Sequence, residues 1–270
     1  MSDGLPAVVW LHGVGGPPRG PGWQLLLNRE LERQGFPRVP PSEVVVVDYR
    51  RTLLTPQRLP VGLPQPVPVA ASAAERRAYE ARRARLAGVL EPWRADLRLG
   101  PGMLPPSLRQ RLADRVSRLP LHGFPEVRLY LDRRRRRRAV IASVIEQLPP
   151  GPFVLIAHSL GSVVAVDLLA HLAPGRLRLL LTVGSPLALE GLSDRQLGAL
   201  EPFPYDRVEG WVNLRTRWDW ITGGAPLDAR LPAVIDLPID TAEAWRGHHQ
   251  RRTYLTHPAT AAAVGRARVG

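Results

Sequence analysis

Residues 153–172 read FVLIAHSLGSVVAVDLLAHL, an apolar stretch that a short turn divides into two parts. Its first five residues are an apolar run of strand length, and a cluster of prolines and a glycine at 149–152 precedes them. From Ser162 onward, apolar residues recur at helical spacing. The stretch therefore predicts a buried strand, a sharp turn around Ser159 and a helix that folds back over the strand.

The turn has small residues, Ala157 and Gly161, two positions on either side of the serine. At a strand-to-helix junction, such a turn holds a serine at a strained backbone angle and exposes its hydroxyl as a nucleophile. Larger flanking side chains would collide where the helix crosses the strand. Glycine is the common first residue of this motif, and Ala157 is small enough to replace it. A serine that only caps the helix is the structural alternative.

Other apolar runs of strand length predict the remainder of a sheet. They lie at Ala7–Leu11, Ser42–Tyr49, Arg178–Gly184, Trp211–Leu214 and Val234–Leu237. Helical patterns at Trp23–Gln34, Asp132–Leu148 and Pro258–Arg268 separate or follow them. Because the strands lack polar alternation, both faces of the sheet must be covered. We therefore expect an α/β fold with an open, mostly parallel sheet of about six strands and helices on both faces.

Residues 55–127 interrupt this pattern and predict a helical and Pro-rich insertion. The Pro-rich part begins at Thr55, and two helices are expected, at Ala70–Val89 and Leu108–Leu119. We interpret residues 1–270 as a single domain in which this insertion forms a cap-like segment.

The composition excludes several classes of protein. There is no cysteine, so disulfides and thiolate metal sites are ruled out. The formal net charge is +13, but every basic residue is an arginine, which is typical of a GC-rich genome and weakens the case for a nucleic-acid partner. The N-terminus lacks the basic region of a signal peptide. Asp167 and the turn disfavour a membrane span at 153–172. We expect a cytoplasmic protein without a transmembrane segment.

A serine needs a base within hydrogen-bond reach and an acid that orients the base. On this topology the acid and then the histidine follow the serine along the chain. Asp219 comes shortly after the strand at 211–214 and is our candidate acid, with competitors at Asp206, Asp228, Asp236 and Asp240. His249 is our candidate base and His248 the alternative. We expect His257 to start or pack the last helix, and His158 to point away from the serine into the packing.

Acyl transfer also needs hydrogen-bond donors for the oxyanion that forms. The N–H of Leu160, at the helix start, is one candidate donor. The N–H of Val14, in the glycine-rich loop at 12–16, is the second. This loop lacks the Gly-Lys-Ser/Thr of a phosphate-binding loop, and its glycine spacing is not the dinucleotide fingerprint.

Taken together, these segments resemble the α/β-hydrolase superfamily, in particular its lipase- and esterase-like members. The resemblance rests on VVWLHGVGG (8–16), FVLIAHSLGSVVAVDLL (153–169), LLLTVGSPLAL (179–189), WVNLRTRWDWIT (211–222) and HHQRRTYLTHP (248–258), about half of the chain. It implies that Ser159 is the nucleophile, Asp219 the acid and His249 the base, with Val14 and Leu160 at the oxyanion hole.

The resemblance further implies a serine hydrolase that cleaves a carboxylic ester or a related acyl bond through an acyl-enzyme, without a metal or cofactor. The substrate would be a small-molecule or lipid acyl compound, and ester, thioester and amide stay open. The chain departs from the family at Ala157 and in lacking the usual first hairpin.

Six consecutive arginines, Arg133–Arg138, stand at the start of a predicted helix. They form a solvated face, pair with the insertion through Glu75, Glu80 and Glu91, or bind an anionic partner. No aromatic residues interleave them, which disfavours single-stranded nucleic acid. A different function follows from the last option: a catalytically idle hydrolase-like protein that binds an anionic partner through this helix.

Overall fold

A computed structural model of the chain describes residues 4–17, 20–55, 72–95, 125–189, 192, 200–216, 219–222, 225–240 and 249–270. Within these ranges one sheet has six strands: β1 (Ala7–Leu11), β2 (Val44–Val47), β3 (Phe153–His158), β4 (Leu177–Val183), β5 (Trp211–Thr216) and β6 (Ile235–Ile239). All neighbouring strands pair in parallel, in the order β2-β1-β3-β4-β5-β6. The predicted open, parallel sheet of six strands is confirmed.

Eight α-helices lie in the described part of the chain: α1 (Gly22–Arg33), α2 (Arg50–Leu54), α3 (Ala73–Leu90), α4 (Pro125–Asp132), α5 (Arg134–Gln147), α6 (Leu160–Leu169), α7 (Arg251–Leu255) and α8 (Pro258–Val269). Short 3-10 turns occur at Pro41–Glu43, Glu91–Trp93, Pro186–Ala188 and Trp220–Thr222. Of the helices described, none has the length and apolar character needed to cross a membrane.

Strand β3 shows why the central strands are apolar throughout. Val154 and Ile156 belong to a core on one face of the sheet, together with residues of α1 and α8. Leu155 and Ala157 belong to the core on the other face, which includes residues of α4, α5 and α6. Because helices cover both faces, neither side of the strand can carry a polar residue without a partner. The predicted helices on both faces are therefore present.

The helix bounds differ from the predictions where local contacts outweigh the apolar pattern. Helix α6 begins at Leu160, directly after Ser159, instead of at Ser162. Strand β2 is shorter than predicted because residues before Val44 form a 3-10 turn. Helices α2 and α7 are not predicted at all, since five residues are too few for a periodic pattern.

The described part of the insertion contains α3, which begins with a capping box. The Ser72 side chain accepts a hydrogen bond from the Glu75 N–H, and the Glu75 carboxylate accepts one from the Ser72 N–H. The helix contacts the segment just before β6, where the Tyr79 hydroxyl donates to the Ala233 carbonyl, 2.8 Å away. The predicted helix at 108–119 lies outside the described residues, and the cap-like role of 55–127 stays a prediction.

Candidate active site

Ser159 lies between β3 and α6 with backbone angles of φ 52° and ψ −123°. Among the described residues, it is the one non-glycine residue with a positive φ. Such a conformation is strained for a residue with a side chain, and it is maintained only where its surroundings require it. The Ser159 N–H donates to the Val183 carbonyl at the end of β4, at 3.1 Å, which ties the turn to the sheet.

Two glycines explain why the turn needs small neighbours. A Cβ on Gly161 would lie 2.4 Å from the Leu11 carbonyl oxygen at the end of β1. A Cβ on Gly13 would lie 2.7 Å from the Cβ of Ser159. No side chain fits at either position without a backbone shift. The second contact also shows that the glycine-rich loop at 12–16 reaches the serine.

Two buried serines, Ser162 and Ser185, support the turn, and the sequence analysis did not single them out. The Ser162 hydroxyl donates to the Ser159 carbonyl at 2.6 Å and lies 2.7 Å from the hydroxyl of Ser185. Ser185 belongs to the Gly-Ser-Pro segment after β4. Because the Ser162 proton is used, the Ser185 hydroxyl must donate to Ser162. This buried chain of hydrogen bonds holds the carbonyl of the strained residue.

The structure brings Ser159, His249 and Asp219 together in a hydrogen-bonded line. His249 Nε2 lies 3.0 Å from Ser159 Oγ. On the other side of the ring, His249 Nδ1 lies 3.0 and 3.1 Å from the two carboxylate oxygens of Asp219. Because a carboxylate accepts hydrogen bonds, Nδ1 carries the proton and Nε2 presents a lone pair to the serine hydroxyl. His249 can therefore receive the serine proton.

Asp219 is fixed by more than the histidine. Its carboxylate is buried and also accepts hydrogen bonds from the Tyr254 hydroxyl, at 2.5 Å, and from the Ile221 N–H, at 3.0 Å. Tyr254 comes from α7, five residues after His249, so one short segment supplies both the base and a second donor to the acid. Three donors therefore fix the orientation of this carboxylate.

Gly184, directly after β4, makes room for this line of residues. Its φ is +55°, and a Cβ there would lie 2.9 Å from an Asp219 carboxylate oxygen and 3.2 Å from His249 Nδ1. Any side chain at position 184 would therefore push the acid and the base apart.

His158 is part of the packing, as expected, but one of the residues that it packs against is the candidate base. Its Nε2 lies 2.8 Å from the main-chain carbonyl oxygen of His249, and the two imidazole rings are 4.9 Å apart. Since a carbonyl only accepts, His158 Nε2 carries the proton. Burial lowers the pKa of His158 to about 3, so the ring stays neutral and keeps this tautomer. The separation of 91 residues between the two histidines hid this contact from sequence reasoning.

The proposed oxyanion donors belong to the start of α6 and to the glycine-rich loop. Leu160 is the first residue of α6, where backbone N–H groups have no partner within the helix. Val14 is in the glycine-rich loop, with 38% of its surface exposed. The next residue, Gly15, donates its N–H to the carboxylate of Glu126, on α4, at 2.9 Å. Glu126 is buried and was also missed by the sequence analysis. The donor roles of Val14 and Leu160 stay a prediction.

The other candidate residues have different partners. The Asp236 carboxylate accepts from Arg215 Nε at 2.6 Å in a buried ion pair, and Asp206 lies beside Arg207. His257 accepts a hydrogen bond from the Ala259 N–H and caps α8, as predicted. His248 lies outside the described residues.

Two arginines of the run at Arg133–Arg138 contact other parts of the protein, and the other four are exposed. Arg136 donates to the Leu53 carbonyl, and Arg137 forms an ion pair with Asp167 of α6. Pairing with Glu75, Glu80 and Glu91 was one of the options for these arginines. In the structure the three glutamates have other partners: Glu75 accepts from the Ser72 N–H, Glu80 pairs with Arg76 and Glu91 pairs with Arg94. The exposed members are Arg133, Arg134, Arg135 and Arg138. An anionic partner for them stays a prediction.

Comparison of this chain with known protein families, with curated proteins and with solved structures finds no match.

Proposed function

We propose that this protein is a serine hydrolase of the α/β-hydrolase type that cleaves a carboxylic ester or a related acyl bond. The line of hydrogen bonds from Asp219 through His249 to Ser159 carries the proposal. Chance contacts among surface residues do not account for it, because the serine is strained and the acid is buried. Those are features of a nucleophile and its orienting acid.

In the first half of the proposed reaction, Ser159 Oγ attacks the acyl carbon as its proton passes to His249 Nε2. The carbonyl oxygen takes the electron pair and becomes an oxyanion, which the N–H groups of Val14 and Leu160 stabilise. Asp219 keeps the histidine in the required tautomer and stabilises its charged form. The alcohol then leaves with the proton from Nε2, and the acyl group stays on the serine.

In the second half, a water molecule gives its proton to His249 Nε2 and its oxygen attacks the acyl carbon. The Ser159–acyl bond breaks, the acid leaves and the proton returns to the serine. Ser159 is buried, whereas the His249 side chain is 30% exposed. The substrate would therefore approach past the histidine and the loop at Val14.

The substrate would also have room beside this loop. A cavity of about 520 Å³ is lined by Gly15 and Gly16 of the loop and by Arg50, Arg51 and Leu54 of α2. Its size suits part of a small-molecule or lipid acyl substrate.

A series of p-nitrophenyl esters of graded chain length tests the proposal. We expect wild type to turn over at least one of them and His249→Ala to lose about 10⁴-fold in kcat. His257→Asn is the matched control, because asparagine also caps helices and His257 lies outside the proposed triad. His248→Ala decides between the two neighbouring histidines and is expected to stay active.

The rival function predicts a different outcome. An idle hydrolase-like protein that binds anions through Arg133–Arg138 would turn over no ester or thioester and would lose salt-dependent binding when these arginines are replaced. A dead His248→Ala together with an active His249→Ala would instead move the base by one residue and contradict the hydrogen bonds described above.

A further inference from the structure

A second cavity, of about 780 Å³, lies at the end of the sheet where the strands begin, and Ser159 lies at the other end. It is bounded by the carboxyl half of α3, the end of α8 and the beginnings of β4 and β5. Ser159 follows the carboxyl end of β3. With strands of five to seven residues at about 3.3 Å each, roughly 20 Å separates the two sites. This cavity is therefore no part of the candidate active site.

Arginine side chains dominate the polar part of the cavity. The cavity is lined by five arginines: Arg82, Arg85, Arg178, Arg266 and Arg268. Glu209 is the one acidic side chain among the lining residues. Arg178 forms an ion pair with Glu209, and Arg268 pairs with Glu43. Arg85 and Arg266 are exposed, and neither has a carboxylate partner among the residues that the structure describes. A net positive charge thus stays available at this rim.

The remaining wall is apolar. It includes Leu86 and Val89 of α3, Leu179 of β4 and Ala267 of α8. Val269 lies at the rim with 43% of its surface exposed, one of the few large apolar side chains that the described residues leave exposed. An apolar wall beneath a cationic rim favours a ligand that has both an apolar part and a negative charge.

We propose that this cavity binds an amphipathic anion, with a carboxylate or phosphate head at Arg85 and Arg266 and an alkyl body against Leu86 and Val89. The guanidinium groups suit such a head, because their planar N–H donors match carboxylate and phosphate oxygens. The volume falls within the range of small-molecule sites. This site does not depend on the proposed hydrolase activity.

Gly88 offers a way to close the cavity without disturbing its charges. It lines the cavity from α3, and a Cβ at this position would have no heavy atom within 4 Å. Gly88→Phe should therefore fill the cavity, whereas Gly88→Ala should leave it open and favour the helix. The pair separates occupation of the cavity from a change in the backbone.

Calorimetric titration of the full chain with decanoate and with decyl phosphate tests the proposal, with decylammonium and inorganic phosphate as probes of the tail and the head alone. We expect wild type and Gly88→Ala to bind both anions more tightly than either control, and Gly88→Phe to lose this binding. Arg85→Gln combined with Arg266→Gln should weaken it by about tenfold or more. Arg134→Gln combined with Arg135→Gln removes the same charge elsewhere and should change nothing.

Equal binding by Gly88→Phe and Gly88→Ala would overturn the proposal, since the ligand would then sit elsewhere, for example beside Ser159. Equal weakening by the two double-arginine variants would also overturn it, because net charge alone would explain the binding. Decylammonium bound as tightly as the anions would do the same. If Gly88→Phe does not fold, Gly88→Leu and the exposed arginine pair still decide the question.

Discussion

Asp219, just beyond the end of β5, and Asp236, within the neighbouring strand β6, are both buried, and each carboxylate accepts three hydrogen bonds. The donors to Asp219 are His249 Nδ1, the Tyr254 hydroxyl and the Ile221 N–H. The donors to Asp236 are Asn213 Nδ2, Arg215 Nε and the Leu227 N–H. Burial and hydrogen bonding therefore do not distinguish the two residues.

Their partners do distinguish them. A guanidinium group does not serve as a base as an imidazole does, so the pair of Arg215 and Asp236 joins β5 to β6 without chemistry of its own. His249 can gain and lose a proton, and its second nitrogen faces a serine hydroxyl. Asp236 also lies inside β6, whereas Asp219 lies beyond the end of β5, at the edge where parallel strands place their functional residues. A buried carboxylate is a candidate catalytic residue only with such a partner at such a place.

Asp219→Asn should lower the rate more than any other substitution discussed below. The amide would no longer favour the histidine tautomer that accepts the serine proton, so kcat for an active ester should fall about 10⁴-fold with KM little changed. Steady-state kinetics on a p-nitrophenyl ester, beside a urea unfolding curve, measures both quantities. A kcat within tenfold of wild type would remove Asp219 from the proposed triad.

Asp236→Asn is the matched variant and should show the opposite pattern. Removing the carboxylate from a buried ion pair costs about 3–5 kcal/mol in the free energy of unfolding. Per folded molecule, kcat should stay close to that of wild type, because the pair does not contact Ser159 or His249. Urea denaturation measures the loss of stability. A stable Asp236→Asn with a strongly reduced kcat would reverse the roles assigned to the two aspartates.

His158 is a partly buried titratable side chain next to the proposed triad. Its pKa of about 3 in the folded protein lies below the usual 6.5, so the unfolded chain binds the proton first on acidification. Stability should therefore fall as the pH drops from about 6.5 towards 3, by about 1.4 kcal/mol per pH unit for this group. Burial also lowers the pKa of His257, to about 4, which adds a dependence of the same sign.

His158→Gln should remove one proton from this pH dependence, because glutamine keeps a donor for the His249 carbonyl but does not titrate. Unfolding curves at pH 4 to 7 measure the slope for both proteins. The kcat of His158→Gln should stay near that of wild type, and that of His158→Ala should fall about tenfold through the misplaced His249. An unchanged slope in His158→Gln would show that His158 is not the group responsible.

Glu126 is a third buried carboxylate and should have the smallest effect. It accepts hydrogen bonds from the Gly15 N–H and, at 2.7 Å, from Arg50 Nε. Glu126→Ala should lower kcat about fivefold, the factor that corresponds to one hydrogen bond of about 1 kcal/mol, because the loop with the Val14 donor loses its anchor. Glu126→Gln keeps an acceptor and should restore most of the rate. Equal rates in wild type and both variants would separate Glu126 from the loop's function.

The parts of the fold that the sequence could predict depend on neighbouring residues. Continuous apolar runs such as Ala7–Leu11 and Phe153–Ala157 predict buried parallel strands, since both faces of the sheet are covered. The strained turn at Ser159 follows from small residues two positions away. The order of serine, acid and histidine predicted a line of three residues, and the structure brings these same residues together.

The parts that could not be predicted join residues that are distant along the chain. Gly15 and Glu126 are 111 residues apart, and no local pattern links a loop glycine to a helix glutamate. The ion pair between Arg137 and Asp167 could not be predicted either, because charge alone does not show that Asp167 of α6 faces this helix. The position after a strand favoured Asp219 over Asp236, but only the folded sheet shows that Asp219 meets His249 and that Asp236 meets Arg215.

Labelling with a fluorophosphonate probe tests directly whether Ser159 is an activated nucleophile, because the reagent reacts with a serine only when a base activates it. Intact mass and peptide mapping should show one adduct per chain in wild type, located on Ser159. Ser159→Ala should show no adduct, and His249→Ala and Asp219→Asn should form it far more slowly. An unlabelled wild type, or equal labelling of wild type and Ser159→Ala, would contradict the account.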